Sequence, residues 1–307
     1  MVIIPEFLER KARRNPQVSE RRRGEREMEA QKTGYLNSEF RIFYLTNAEP
    51  RDFQSHYHDF HKLLFFESGS VSYYIEGETY QLQPYDLVLV PAGEVHRPVI
   101  HDDSPYRRLI VYLSPAFFDG YRTGGGDLFS CFSACIRRNS HVLRAKNGRE
   151  SRLYPQIREL ISTVPAQDSG SLLELYQRSL LVQILILLSF AAEGDNISYP
   201  AASVANPQVL RALSYINEHL REELSVDRIA DACFLNRSYL MHLFRRETGY
   251  TIGTYITEKR LFAARTMIRS GCSVTEACMQ SGFPGYSSFY RAYRKKFGEP
   301  PKESRLS

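Results

Sequence analysis

Two stretches of the chain carry side chains suited to gripping a polyanion, and they are one pattern written twice. Asn236-Arg-Ser-Tyr-Leu-Met-His-Leu-Phe-Arg-Arg-Glu-Thr-Gly249 maps onto Gly285-Tyr-Ser-Ser-Phe-Tyr-Arg-Ala-Tyr-Arg-Lys-Lys-Phe-Gly298 with a shift of 49 positions. Ser238 falls on Ser287, Leu240 on Phe289, Phe244 on Tyr293, Arg245 on Arg294, Arg246 on Lys295 and Gly249 on Gly298. A polar start, an apolar i, i+4 pair, a basic end and a terminal glycine describe a short amphipathic helix, with one face for a core and one for an anion. With Leu240, Leu243 and Phe244 turned inward, Ser238, Met241 and His242 project outward. With Phe289 and Tyr293 inward, Tyr286, Ser287, Ser288 and Arg291 do the same. These seven are the expected readers of base edges. Arg291 can pair bidentately with guanine O6 and N7, Ser and His are shorter donors, and Met241 and Tyr286 suit thymine methyl groups. Arg237, Arg245, Arg246, Arg294, Lys295 and Lys296 lie at helix ends and are expected to meet phosphates, which fix register and set salt dependence.

A second constellation lies far from the first. His56, His58, Lys62, Tyr73 and His96 bring three imidazoles, an ammonium and a phenol into the front half, and the resemblance of that half to a cupin barrel implies that they line a pocket for a small polar effector. Imidazoles also suit a divalent metal, with His61 and Glu67 as further possible ligands. Lys62, however, puts a cation among them, so neither a metal nor another cofactor is expected. No Ser/His/Asp order, phosphate loop or carboxylate pair reads as catalytic, and the chain is not expected to be an enzyme.

The elements that must position these residues follow from periodicity. At 307 residues the chain has length for about two domains. From Phe40 the period is near two. Arg41–Thr46, Lys62–Phe66, Ser70–Ile75, Glu78–Leu82, Asp86–Val90 and Tyr106–Leu113 are rich in β-branched and aromatic residues, with turn signals between them. Short strands so spaced predict a sandwich or barrel. The segment from Phe117 to Ser140 reads as irregular, with the turn Thr123–Asp127 and two thiols, Cys131 and Cys135, expected to be small core residues. Two helices are predicted over Arg149–Val164 and Ser171–Ala192. The second is apolar on most sides and should be buried, against the barrel or against a second copy of itself. The fold class is thus α+β in two domains, with expected boundaries of a charged, disordered arm at 1–33, a barrel at 34–120, a helical packing or dimerisation segment at 121–193, a linker at 194–205 and an all-α tandem helix-turn-helix at 206–305.

Composition agrees. The net charge of +5 is uneven, since residues 206–307 hold 16 Lys+Arg and 10 Asp+Glu while 1–205 hold 24 and 25. A basic domain beside a near-neutral one predicts a polyanion partner for only the former. No apolar run approaches the roughly 18 residues that span a bilayer, and the N-terminus does not read as a signal peptide. Five cysteines without a CxxC spacing predict reduced thiols in the cytoplasm.

Helices are expected over Pro207–Leu220 (cap Asn206), Ser225–Cys233, Arg237–Thr248 (cap Asn236, stop Gly249), Ile252–Ser270, Val274–Ser281 and Tyr286–Phe297 (stop Gly298). The tandem resembles the DNA-binding domain of the AraC/XylS family of bacterial transcription regulators. The residues that carry the resemblance are Ile229-Ala230, Leu240, Phe244-Arg245, Gly249, Tyr255, Arg260-Leu261, Ala264, Gly282-Phe283, Ser288-Phe289, Arg294-Lys295, Gly298, Pro301 and Arg305. Ala277, Cys278, Ser281, Pro284-Gly285 and Tyr293 depart from the pattern, so the second motif is expected to pack less firmly. In the front half, His56-Tyr-His58, Gly69 and Tyr85–Pro98 resemble the half-motifs of a cupin barrel, whose metal-binding members use two His and a Glu from the first motif and a His from the second; here Lys62 stands near the Glu. The resemblance implies a sequence-specific regulator, an activator that binds double-stranded DNA under control of a small molecule, as a homodimer working with RNA polymerase.

Overall fold

The computed structural model describes residues 36, 38–47, 53–121, 127–138, 140–146, 148, 151–165, 171–194, 197–204 and 206–305. The expected arm at 1–33, most of the turn Thr123–Asp127 and the start of the predicted helix at Arg149 lie outside them. The front half is two antiparallel sheets. One has the order β1 (Phe40–Asn47), β7 (Tyr106–Leu113), β2 (His61–Ser68), β5 (Leu87–Val90), β8 (Val142–Ala145), β9 (Ile197–Ser198). The other has β10 (Ser203–Val204), β4 (Glu78–Gln81), β3 (Val71–Ile75), β6 (His96–Ile100).

Strand β2 shows why the pattern Lys-Leu-Leu-Phe-Phe builds this. Successive side chains point to opposite faces. Leu63 and Phe65 enter a core between the large sheet and the helices, while Leu64 and Phe66 enter a second core between the two sheets. A strand buried on both faces fixes its register, because a one-residue slip would move Lys62 into the helical core. The β3–β4 hairpin turns through Glu76 (φ 46°) and Gly77 (φ 92°), the left-handed pair that a two-residue hairpin needs.

Four helices complete this half: α1 (Pro115–Asp119), α2 (Ser130–Arg138), α3 (Leu153–Thr163) and α4 (Ser171–Glu193). The segment expected to be irregular therefore contains two short helices. Ser114 caps α1 by accepting from the Phe117 N–H, a local signal inside an apolar run. Cys131 and Cys135 sit on the inner face of α2, fully buried, and burial pushes the Cys131 thiol up to about 12. They are core residues. Helix α4 is long and apolar enough to cross a membrane. Leu180, Leu181, Ile184, Leu185 and Leu188 instead bury one face in the barrel's outer core, while Leu172, Leu175, Tyr176, Ile186 and Phe190 remain exposed on another.

The stretch expected to be a free linker is not free. Ile197 pairs with Ala145 through β9, and Ser203 with Thr79 through β10, so the connection is stitched to both sheets before the second half begins.

That half is helical: α5 (Pro207–Glu218), α6 (Val226–Cys233), α7 (Arg237–Thr248), α8 (Ile252–Arg269), α9 (Val274–Gln280) and α10 (Tyr286–Phe297). The expected caps form. Asn206 accepts from the Gln208 and Val209 N–H groups, Ser225 from Arg228, and Asn236 from Ser238 and Tyr239. Gly249 and Gly298 close α7 and α10 in the left-handed region. The second motif does not pack loosely. Ala277, Cys278 and Ser281 are buried, and their small size lets α9 approach Phe289 and Tyr293. Ser273 and Glu276 add a reciprocal capping box to α9, worth about 1 kcal/mol. The weaker cap is at Gly285, which offers no side chain to α10.

The two motifs are locked together at one point. Arg260 of α8 donates from Nε to the Leu220 carbonyl (2.9 Å) and from its terminal nitrogen to the Glu222 carbonyl (2.5 Å). Gly282, between α9 and α10, presses on the same loop: a Cβ there would lie 2.5 Å from the Leu220 oxygen and 2.9 Å from the Arg221 Cα, at φ +86°. Gly282→Ala is therefore expected to cost about 2–3 kcal/mol from backbone strain and clash together, read as a lowered urea midpoint; an unchanged midpoint would show that the contact bears no load.

Candidate functional site

The structure brings all five expected pocket residues together. His56 and His96 exchange backbone hydrogen bonds (3.1 and 2.8 Å), which brings the β6 start against the 53–59 segment. The three imidazoles cluster, with ring centroids of 4.6 Å (His56–His96), 5.0 Å (His56–His58) and 5.1 Å (His58–His96). Lys62 and Tyr73 come from facing sheets, and Lys62 Nζ donates to the Tyr73 hydroxyl at 2.7 Å. His96 Nδ1 lies 2.9 Å from the Glu94 carbonyl. A carbonyl only accepts, so Nδ1 carries the proton and the Nε2 lone pair faces Lys62 Nζ at 3.5 Å. Burial, then the Lys62 charge, holds the His96 ring well below the ordinary imidazole range, hence neutral.

Of these, His56, Lys62 and Tyr73 border a cavity of about 20 Å³, and His58 and His96 do not line it. Its inner wall is strand β7, from which Tyr106, Arg108, Ile110 and Tyr112 point inward at every second residue. Sequence reasoning missed this wall. The signal was present, since period two through a predicted strand places Arg108 on the same face as Tyr106 and Tyr112; a lone arginine beside Arg107 reads more readily as solvated. Arg107 is indeed exposed, whereas Arg108 is 3% exposed and lies 4.0 Å over the Tyr106 ring.

The cupin resemblance implies a divalent metal held by this cluster of imidazoles. The ring nitrogens of His56, His58 and His96 lie within 4.8 Å of one another. Among the described residues no carboxylate joins them: His61 is on the other face of β2, packed against Phe118, Phe129 and Phe132, with burial pushing its pKa down to about 3. Glu67 is at the far end of the strand, bonded to Tyr44 and Arg158. Neither replaces the missing ligand. An ammonium beside the His96 lone pair opposes a divalent cation, and the set does not fit one.

The other expected face is equally explicit. Ser238, Met241, His242, Arg245 and Arg246 are exposed on α7, and Tyr286, Ser287, Ser288, Arg291, Arg294 and Lys295 on α10. Leu240, Phe244, Phe289 and Tyr293 are buried behind them. Two basic residues are engaged within the helical half, Arg237 with Asp227 (2.8 Å) and Arg246 with Glu247 (2.8 Å).

Lys296 departs from expectation. It turns toward the barrel, donating to the Tyr57 hydroxyl (2.5 Å) and pairing with Glu258 (2.9 Å). The reason is an interface invisible to helix periodicity. Tyr57 packs edge-on to Phe262 at 5.1 Å, and Asp59 pairs with Arg265, both buried. Burial raises the Asp59 pKa more than Arg265 lowers it. Glu76, at the hairpin tip, accepts from Lys259 (3.0 Å) and from the Tyr255 hydroxyl. The segment 56–59 thus alternates: His56 and His58 join the pocket cluster, Tyr57 and Asp59 grip the helical half.

Residues 229–307 match the family model described as a helix-turn-helix domain, and residues 42–185 the one described as an AraC-like ligand binding domain. Among curated relatives, the HTH-type transcriptional activator RhaS of Shigella sonnei (strain Ss046) is 26% identical over 269 residues, covering 84% of this chain and 90% of that one. RhaS of Escherichia coli O9:H4 (strain HS) matches with the same figures. Among solved structures, an apo variant of ToxT from Vibrio cholerae covers 88% of this chain and 98% of its own at 14% identity and a TM-score of 0.40. The DNA-binding domain of AdpA, solved with a target DNA, covers 33% and 92% at 22% identity and a TM-score of 0.32.

Loss of Asp59 leaves Arg265 with Glu299 (3.2 Å) as a remaining carboxylate. Asp59→Leu is therefore expected to destabilise the full chain by about 1–3 kcal/mol, and Asp59→Leu with Arg265→Met to recover much of the loss in thermal unfolding. A double variant no more stable than the single would contradict this.

Proposed function

The chain belongs to the AraC/XylS family of transcription regulators, and from that premise we propose how it works. It is a one-component regulator, not an enzyme. The β-sandwich half binds a small-molecule effector through the expected set His56, His58, Lys62, Tyr73 and His96, of which His56, Lys62 and Tyr73 border the cavity. The observation that carries the reading is the duplicated helix. Arg245 and Arg246 of α7, and Arg291, Arg294 and Lys295 of α10, stand exposed on two units of like pattern, the arrangement needed to enter two successive major-groove segments. In this reading the chain divides into an arm at 1–33, a barrel at 34–120, a helical packing or dimerisation segment at 121–193, a tethered connection at 194–205 and the DNA-binding domain at 206–305.

Ser238, Met241, His242, Tyr286, Ser287, Ser288 and Arg291 read bases. Arg237, Arg245, Arg246, Arg294 and Lys295 hold phosphates. Lys296 joins them only when it leaves Tyr57 and Glu258, so barrel and DNA compete for it. The effector biases that competition by no more than its differential affinity for the two arrangements. The exposed apolar stripe of α4 is the homodimer seam, supported by Leu172, Leu175, Tyr176, Ile186 and Phe190 all remaining exposed on one helix. Likeness to an activator supports activation, with RNA polymerase as a partner, in the cytoplasm. The second reading, a metal-dependent cupin enzyme fused to a DNA-binding domain, draws on the three clustered imidazoles; stoichiometric metal in the purified chain would favour it.

Duplex-binding titrations against a selected site and its single-base variants test the assignment. Arg291→Ala should lose about 1–3 kcal/mol, concentrated at one base pair. Arg294→Ala should weaken all sequences alike and reduce the salt slope by about one. Equal, sequence-independent losses for both would refute it.

A further inference from the structure

We propose that Tyr290, with Tyr286 beside it, forms an aromatic patch on α10 that reads the 5-methyl groups of two neighbouring thymines. The inference rests on the DNA-binding reading above and deepens it by naming the base that α10 selects. It starts from the internal repeat. The shift of 49 that carries Ser238 to Ser287 also carries Met241 to Tyr290, His242 to Arg291 and Arg245 to Arg294. Met241 is 45% exposed on α7, one helical turn from Arg237 on one side and from Arg245 on the other. Tyr290 holds the same place on α10, between Tyr286 and Arg294. The stripe 286, 290, 294 therefore runs from two aromatic rings, at the helix end that meets base edges, to a cation at the end that meets phosphate.

Three observations set Tyr290 on this stripe rather than in the core. Tyr290 is half-buried, yet among the described residues it is not part of the second motif's core, which takes in Phe289, Tyr293 and Ala292 instead. The ring stacked on it is Tyr286, with centroids 6.1 Å apart and planes at 27°, and Tyr286 is itself 44% exposed. Ser288 can offer a base only its lone pairs, because its hydroxyl donates to the Gly285 carbonyl at 2.7 Å; its counterpart Tyr239 likewise donates within the protein, to Gln208 at 3.2 Å. The chemistry follows from the groove. Of the four bases thymine alone presents a methyl group there, and a ring face gains by covering it. Cytosine carries only a hydrogen at that position and leaves the rings uncovered. A purine turns its N7 acceptor to the groove, which a ring face would strip of water without a hydrogen bond in return. The patch thus selects thymine both by what it covers and by what it refuses.

The test uses the full chain and a duplex that it selects from random sequence. Each thymine is replaced in turn by deoxyuridine, which removes the methyl group and nothing else. Loss of one buried methyl corresponds to about a fourfold loss of affinity. The expected result is a loss of that size at each of two neighbouring thymines in one half-site. Tyr290→Ser should bind thymine and uracil alike at one of the two, while Tyr290→Phe should keep the difference, since the ring makes the contact. A second measurement needs no variant. With 5-iodouracil at either position, irradiation of the wild-type complex should crosslink the α10 peptide at Tyr286 from one position and at Tyr290 from the other. A selected half-site without neighbouring thymines, no loss on uracil substitution, an undiminished loss in Tyr290→Ser, or crosslinks that fall outside both rings would each overturn the inference. If Tyr290→Ser does not fold, the crosslinks on the wild type decide. A selected duplex bound with no preference for thymine over uracil sinks this inference alone, whereas failure of the chain to select any duplex strikes the reading beneath it.

Discussion

The structure depends on a single helix, α8, and on what its cationic side chains hold. Arg260 is 9% exposed and spends its guanidinium on the Leu220 and Glu222 carbonyls. A buried cation is tolerated only when its donors are satisfied, so the 220–222 loop cannot leave without stranding it. That loop belongs to the first helix-turn-helix, and Gly282, which leans on it, belongs to the second. The pair therefore fixes one reader against the other. One residue earlier in the chain, Lys259 reaches the opposite way to Glu76 of the barrel, and Arg265 to Asp59. The helix that sets the geometry of DNA reading is also the one the sensor half grips.

The contact between the halves runs through one short segment, 56–59, rather than through a relay of distant residues. In 56–59 His56 and His58 join the imidazole cluster while Tyr57 and Asp59 face the helical half, so under the proposed function a ligand that shifted His56 or His58 would shift the frame that holds Tyr57 and Asp59. Through Tyr57 this reaches Lys296 of α10, and through Asp59 it reaches Arg265 of α8. Two arrangements of one interface, unequally favoured by effector and by DNA, are sufficient for regulation.

The parts legible in the sequence are the local ones. Caps at Asn206, Ser225 and Asn236, stops at Gly249 and Gly298, and the inward sets of α7 and α10 depend on neighbours within a turn or two, and the chain writes these out plainly. So did the pocket histidines, because a half-motif is a local string. What was not legible depends on pairing across the chain. Strands β9 and β10 are two residues each and exist only because β8 and β4 offer edges 52 to 126 positions away. Arg108 looked like one more surface arginine until β7 was placed at the pocket wall. Lys296 looked like the third member of a phosphate-binding run, and only the docked Tyr57 shows its other partner. The small residues of α9 read as weakness, but in three dimensions they are what permits close contact with Phe289 and Tyr293.

We infer that α8 presents two readers to DNA at a fixed separation. Hydroxyl-radical footprinting of the full chain on genomic fragments that it selects tests this most directly. The account predicts two protected windows on one face of the duplex, their centres about one helical turn, roughly 10 base pairs, apart, and the same spacing on every selected fragment. A single window, or two windows whose spacing changes from fragment to fragment, would contradict it.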